Sequence, residues 1–152
     1  MTSVQRNETD MNKFKRKLLS SFKPKQCDYY GIEDKVGLRF LTQLRVDLNP
    51  LRKYKFNHNF ADTSDEFCSF GDGTDDIYHY LLDCHRYFDI RNSLLDSVSD
   101  LIGTNVRNFN RIPLKNLLLY GCNDYNRNIN KSILNETINF IYKSELFKPT
   151  NT

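Results

Sequence analysis

The sequence predicts a mostly α-helical protein, a small helical module that carries a short zinc-knuckle-like hairpin and helix. Apolar residues recur at the i, i+3, i+4 spacing of a helix face over most of the chain outside residues 60–85. Capping residues, glycines and prolines stand at the ends of these stretches, as they do at helix boundaries. Residues 60–85 instead bring cysteine, a Gly-x-Gly turn, histidine and cysteine in succession. That order is typical of a small metal-held hairpin and helix.

The first part of the chain, residues 1–30, is predicted to be a basic helix followed by a linker. Met11–Phe22 carries apolar residues at helical spacing, and a run of cations lies mostly off that stripe. This helix either faces phosphate or a partner, or docks on the core with its charges in solvent. The cations in question are Lys13, Lys15, Arg16 and Lys17.

The remaining residues, 31–152, are predicted to form the helical module. Its first helix spans Ile32–Val46, and Asn49-Pro50 ends it before a short helical turn at Leu51–Phe56. The helix face expected to be buried carries Ile32, Val36, Phe40, Leu41 and Leu44.

Basic and aromatic residues alternate around this short turn. Such interleaving suits single-stranded nucleic acid, because bases stack on rings while cations follow the phosphates. The alternative is that Tyr54 and Phe56 anchor the core and the charges only solubilise the surface. The basic candidates are Arg45, Arg52, Lys53 and Lys55.

Four further elements follow. We predict a short helix at Tyr78–Leu82, a longer one at His85–Ile102, a nearly all-apolar one from Pro113 to Gly121 and a last one at Asn126–Phe147, with a loop over Val106–Arg111. The residues expected in the core whether or not metal is present are Leu94, Val98, Leu117, Leu118, Ile138 and Ile141.

Three donors in residues 60–85 are candidate zinc ligands: Cys68, His79 and Cys84. Gly71 and Gly73 permit the tight turn that brings the first donor near the other two. A complete structural zinc site has four donors, so one is missing. His58 is the candidate for the vacant position and His85, adjacent to Cys84, is a weaker one. Asp75 and Asp76 are expected to be turn and capping carboxylates.

The same stretch resembles the zinc-binding segment that follows the reverse transcriptase domain in non-LTR (LINE-like) retrotransposon polyproteins. The family pattern is C-x-C-G-x-G-x-E-D-x-x-H-x-L-x-x-C, with Phe70 here at the second cysteine and Asp75 at the glutamate. The resemblance extends upstream over Leu41–Val46 and Asn49–Phe60 and downstream into Pro113–Gly121, about two-thirds of the chain. The matching positions are Cys68, Gly71, Gly73, Asp76, His79, Leu81 and Cys84.

The resemblance implies a zinc-binding, nucleic-acid-binding C-terminal fragment of an RNA-directed DNA polymerase, without the polymerase core. RNA or single-stranded DNA is then expected to contact residues 1–58, which hold 13 Lys and Arg against 6 Asp and Glu, a net +7. Residues 59–105 hold 2 against 10, a net −8, and should face away from the phosphates. The alternatives are a metal-free helical interaction or structural module, or a decayed transposon fragment without activity.

Catalysis by this chain is not expected, since it has neither a glycine-rich phosphate loop nor a Gly-x-Ser-x-Gly elbow. A small-molecule substrate is not expected either. No apolar run reaches the length of a membrane span, and the polar first ten residues do not form a secretory signal. We therefore expect an intracellular protein, nuclear or cytoplasmic and not secreted, whose four cysteines are free or metal-bound.

Overall fold

The computed structural model describes residues 30–71 and 73–147, and this part of the protein is mostly helical, as predicted. Within those ranges there is no β-strand, only an isolated antiparallel bridge between Phe67 and Thr74. The predicted N-terminal helix with Lys13, Lys15, Arg16 and Lys17 lies outside the described residues. The α-helices are α1 (Lys35–Arg45), α2 (Arg52–Asn57), α3 (Phe88–Ile102), α4 (Arg111–Tyr120) and α5 (Arg127–Ser144).

Helix α5 is the centre of the packing. It contacts α1, α3 and α4, so the core lies on the sides of α5 that these helices cover. All six predicted core residues are buried, which confirms the prediction of the core. Their exposed fractions are 2% for Leu94, 0% for Val98, 4% for Leu117, 0% for Leu118, 3% for Ile138 and 1% for Ile141.

A glycine allows α1 to lie close against α5. A Cβ built on Gly37 would stand 2.5 Å from Cγ2 of Ile138, closer than two non-bonded carbon atoms can approach. The buried stripe of α1 therefore runs through Gly37, Leu41 and Leu44. Val36 lies beside this stripe and is 47% exposed, so its predicted burial was wrong.

The helix ends follow local capping chemistry. Helix α1 begins after Asp34, whose Oδ1 accepts the Gly37 N–H at 2.8 Å, so Ile32 precedes the helix instead of starting it. Gly103, with φ of 74°, ends α3. Helix α5 ends at Ser144, with Glu145 at φ 60° as its C-cap, before the predicted end at Phe147.

The predicted helix at His85–Ile102 is divided in two. His85–Tyr87 is a 3₁₀ turn, and α3 begins only at Phe88. The predicted loop at Val106–Arg111 contains a 3₁₀ turn at Val106–Asn108, and α4 begins at Arg111, two residues before Pro113.

None of the helices in the described part of the chain combines the length and the apolar content that crossing a bilayer requires.

Candidate metal centre

The segment around Cys68 folds into the tight hairpin that the sequence predicts. The Cys68 N–H donates to the Gly73 carbonyl at 2.7 Å, and the Gly71 N–H donates to the Cys68 carbonyl at 3.0 Å. Gly71 and Gly73 have φ values of 80° and 125°, which residues with a side chain rarely adopt. The two glycines therefore allow the chain to reverse directly after Cys68.

His79 opens a single wide helical turn of the π type, His79–Asp83, where the sequence predicts a short helix at Tyr78–Leu82. The Asp76 Oδ1 accepts the His79 N–H at 2.9 Å, so Asp76 caps this turn, as expected for a carboxylate at that position. The Cys84 N–H donates to the His79 carbonyl, five residues back, at 2.6 Å. This π-type bond brings Cys84 back beside His79, at a spacing often used at functional sites.

Three ligand atoms converge from the hairpin and the wide turn. Cys68, His79 and Cys84, hereafter the Cys–His cluster, are all buried, and one ligand atom from each lies within 4.8 Å of the others. The two sulfurs are 3.9 Å apart. Tetrahedral zinc with Zn–S bonds of about 2.3 Å would separate its sulfurs by about 3.8 Å, whereas a disulfide needs about 2.05 Å. The cluster therefore has the spacing of a metal site, not of a cystine.

The histidine of the cluster has an orphaned nitrogen. His79 is 4% exposed, and its Nε2 is buried without a hydrogen-bond partner in the described part of the chain. Leaving such an atom unsatisfied costs about 1–3 kcal/mol, and a metal ion beside it would remove that cost. The Phe70 N–H points at the Cys68 sulfur, 3.4 Å away, as a donor to a thiolate would. These residues fit a bound metal ion.

Arg91, which is not among the residues predicted from the sequence, holds the carboxyl end of the wide turn. It is 5% exposed, and its guanidinium donates to the carbonyls of Leu81 at 2.8 Å, Tyr80 at 3.2 Å and Cys84 at 2.8 Å. A signal was present, because Arg91 stands on the apolar stripe of α3, three residues before Leu94.

Tyr80 connects the wide turn to α5. It is fully buried, and its hydroxyl lies 2.5 Å from the Ser144 hydroxyl. Burial raises the pKa of Tyr80 above its ordinary value, so the phenol stays neutral. Its ring meets the ring of Phe140 edge to face at 5.2 Å. The Cys–His cluster is thereby joined to the helical core through the residue next to His79.

Neither histidine considered for the fourth position joins the cluster. His58 is exposed, its Nδ1 lies 2.8 Å from the Tyr54 carbonyl oxygen, and its ring stacks on Tyr54. His85 is exposed and faces Phe88. Over residues 30–71 and 73–147, no further Cys, His, Asp or Glu belongs to the group. Phe70 is 55% exposed, with its ring under the Arg86 guanidinium at 5.2 Å.

Two of the predicted nucleic-acid contacts are engaged within the protein. The Arg52 guanidinium lies 3.1 Å from Asp65, and the Lys55 ammonium lies 3.3 Å from Asp62. The backbone N–H of Arg52 donates to the Asp75 carboxylate at 3.0 Å. The acidic segment that contains the hairpin folds back on α2 and pairs with these two cations.

The alternative in which Phe56 anchors the core is not met. Phe56 is 41% exposed, while Tyr54 is partly buried against His58 and Phe60. Helix α2 therefore turns Tyr54 towards neighbouring rings and leaves Phe56 at the surface.

Arg45 and Lys53, the other two basic candidates, line a cleft between α1 and α4. Arg45 donates to the Leu119 carbonyl at 2.6 Å and covers the Tyr120 ring at 4.8 Å. Lys115 covers the Tyr78 ring at 4.9 Å, and Lys53 is exposed. We call this the α1–α4 cleft, and its polar and aromatic lining is Arg45, Asp47, Lys53, Asp76, Tyr78, Lys115 and Tyr120.

A second, more open cleft has His79 in its wall. Asp83 and Arg111 face each other there through two hydrogen bonds of 2.8 and 2.6 Å. This pairing holds the pKa of Asp83 below its usual range. The contribution of the pair to stability is present above the ordinary carboxyl pKa and is lost as pH falls through the lowered one.

Comparison of the chain with models of known protein families, with curated proteins and with solved structures gave no match. The resemblance to LINE-like reverse transcriptase tails therefore stays a prediction based on the sequence motif in residues 60–85 and on the similar stretches Leu41–Val46, Asn49–Phe60 and Pro113–Gly121.

Proposed function

We propose that this protein is a zinc-binding helical module in which Cys68, His79 and Cys84 hold one Zn²⁺. The observation that carries the proposal is the grouping of three buried donors. One ring nitrogen of His79, whose Nε2 has no hydrogen-bond partner in the described part of the chain, lies within 4.8 Å of two sulfurs that are 3.9 Å apart. Two thiolates and an imidazole are donors that Zn²⁺ prefers. Mg²⁺ and Ca²⁺ take oxygen ligands instead.

The role we assign to zinc is to fix the hairpin region to the helical core. Among residues 55–75 only Cys68 is buried in the described part, so this region buries too little apolar surface to hold itself in place. His79 and Cys84 belong to the wide turn that Tyr80 and Arg91 attach to α5 and α3. A metal ion bound to all three residues would connect the two parts and add its binding free energy to folding.

Metal analysis of purified protein tests this role. We expect one zinc per chain in the unaltered protein and a loss of zinc from Cys84→Ser, because a hydroxyl is a poor replacement for a thiolate. The matched control is Cys122→Ser, since Cys122 is a free cysteine outside the cluster. Zinc content is read by atomic emission after dialysis, and thermal unfolding is followed with and without a chelator.

Two results would contradict the proposal. One is unaltered protein that retains no zinc and unfolds at the same temperature with and without zinc. The other is a Cys84→Ser variant that keeps as much zinc as Cys122→Ser, which would place the metal elsewhere in the chain.

Single-stranded nucleic-acid binding is the second function we propose, as the resemblance to a retrotransposon reverse transcriptase tail implies. The α1–α4 cleft supports it, because three cations and two tyrosines stand side by side there. Cations can follow a phosphate backbone while bases stack on aromatic rings. Asp47 and Asp76 in the same lining weaken the positive potential, so we expect modest affinity.

The salt dependence of RNA binding tests this second function. With a single-stranded RNA, log K against log salt should have a slope near −0.7 for each phosphate neutralised. Replacing Lys53 and Lys115 by Ala should make the slope shallower by about 1.4. Lys55→Ala is the control and should leave it unchanged, because Lys55 is paired with Asp62.

Absence of RNA binding at low salt, or an equal slope in the double variant and the control, would exclude the α1–α4 cleft as a nucleic-acid site. The module would then be a helical interaction or structural protein, the alternative left open by its sequence.

A further inference from the structure

We propose that the zinc ion in the Cys–His cluster keeps one coordination position open to an external ligand, and that this ligand is a small thiol. The inference rests on the proposed zinc binding and goes beyond it, since fixing the hairpin region to the core does not need an external ligand. Closed zinc sites have four protein donors, whereas sites with three protein donors leave one position for an incoming molecule.

The donor count is the first support. One ligand atom each from Cys68, His79 and Cys84 lies within the 4.8 Å group, and no fourth Cys, His, Asp or Glu of the described ranges joins them. The nearby carboxylates have other partners. Asp76 accepts the His79 N–H, Asp75 accepts the Arg52 N–H, and Asp83 is held by Arg111.

The surroundings of the cluster supply the second support, because only a thin cover separates it from solvent. Ser69, Phe70, Gly71 and Gly73 of the hairpin turn are exposed, although Cys68 beside them is buried. Phe70 directs its N–H to the Cys68 sulfur while its ring is 55% exposed under Arg86. On another side, His79 forms part of the wall of the open cleft with Asp83 and Arg111.

The chemistry of the donors selects the class of ligand. Zn²⁺ with two thiolates and a neutral imidazole carries no net charge, and the buried guanidinium of Arg91 sits on the Cys84 carbonyl at 2.8 Å. An anionic fourth ligand is therefore electrostatically favoured. Soft sulfur donors match a site that already has two of them. A thiol that binds gives its proton to solvent and enters as the thiolate.

The test uses the full chain loaded with Co²⁺ in place of zinc, because cobalt makes the coordination visible by absorption. Titration with 2-mercaptoethanol should increase the sulfur-to-cobalt charge-transfer band in a saturable manner. Phe70→Cys should abolish this response and bind zinc more tightly, since residue 70 already has its backbone N–H against the Cys68 sulfur and a thiol there can fill the position. Cys122→Ser is the control and should respond like the unaltered protein.

The outcomes separate this inference from the zinc proposal. If the protein binds no cobalt and no zinc, the zinc proposal itself fails. If it binds cobalt but its spectrum does not change with thiol, or if the spectrum already shows three sulfurs before thiol is added, the open position is refuted and zinc binding stands. A response that persists unchanged in Phe70→Cys would refute the placement of the open position beside residue 70.

Discussion

Replacing Arg91 by Met is expected to lower the free energy of unfolding by about 3 kcal/mol or more. The guanidinium donates to three carbonyls of the wide turn, and at 5% exposure water does not take its place. Each buried acceptor left without a donor costs about 1–3 kcal/mol. Met keeps the aliphatic stem, so the loss measures the hydrogen bonds and not a cavity. Urea unfolding followed by circular dichroism gives the value.

Arg86→Met is the matched control for this substitution. Arg86 is exposed and rests on the rings of Phe70 and Tyr87, so its loss should cost less than about 1 kcal/mol. Arg91→Lys should recover only part of the stability. The Lys ammonium is a compact charge and lacks the planar fork of N–H donors with which the guanidinium reaches three carbonyls. An Arg91→Met variant as stable as the control would show that the wide turn does not depend on Arg91.

Arg91→Met should also weaken zinc binding about 10- to 100-fold, the usual effect of removing a group that orients a metal ligand. Arg91 holds the carbonyl of Cys84 itself, so the position of that thiolate depends on it. Competition with a colorimetric chelator measures the affinity, and stability measured without metal separates this effect from unfolding.

Leu118→Ala is expected to cost about 2–5 kcal/mol. Leu118 is fully buried in α4, which packs on α5, and its carbonyl accepts the Thr137 hydroxyl of α5 at 2.7 Å. That hydrogen bond fixes the two helices at this point, so the core cannot close fully around the lost methyl groups. The loss is a large fraction of the stability of a domain of this size.

Ile112→Ala, in the same helix, is the control for Leu118→Ala. Ile112 is 60% exposed, and its truncation should change stability by no more than about 0.5 kcal/mol. A cost below about 1 kcal/mol for Leu118→Ala would contradict the packing of α4 on α5 described above.

The sequence by itself determined the helical class, the core positions and the three candidate ligands. The signals for these are local or periodic. Leu94, Val98, Leu117 and Leu118 repeat at helical spacing, and the Gly71-x-Gly73 turn follows directly on Cys68. Capping chemistry is equally local, and for that reason the role of Asp76 could be predicted.

Other features were decided by contacts between residues far apart in the chain. Val36 is exposed because Gly37 gives α1 its close approach to Ile138, about a hundred residues later. Arg52 and Lys55 are paired because the hairpin region folds back on α2. The net charge of each segment does not show which segments lie against each other.

The metal centre depends on both kinds of information. The spacing of Cys68, His79 and Cys84 along the chain names the donors, but only the folded structure brings their ligand atoms within 4.8 Å. It also leaves His58 outside the cluster and places Arg91 on the Cys84 carbonyl. The physical reason is that hydrophobic periodicity and turn chemistry act over a few residues, while the burial of a polar side chain is fixed by whichever distant groups pack around it.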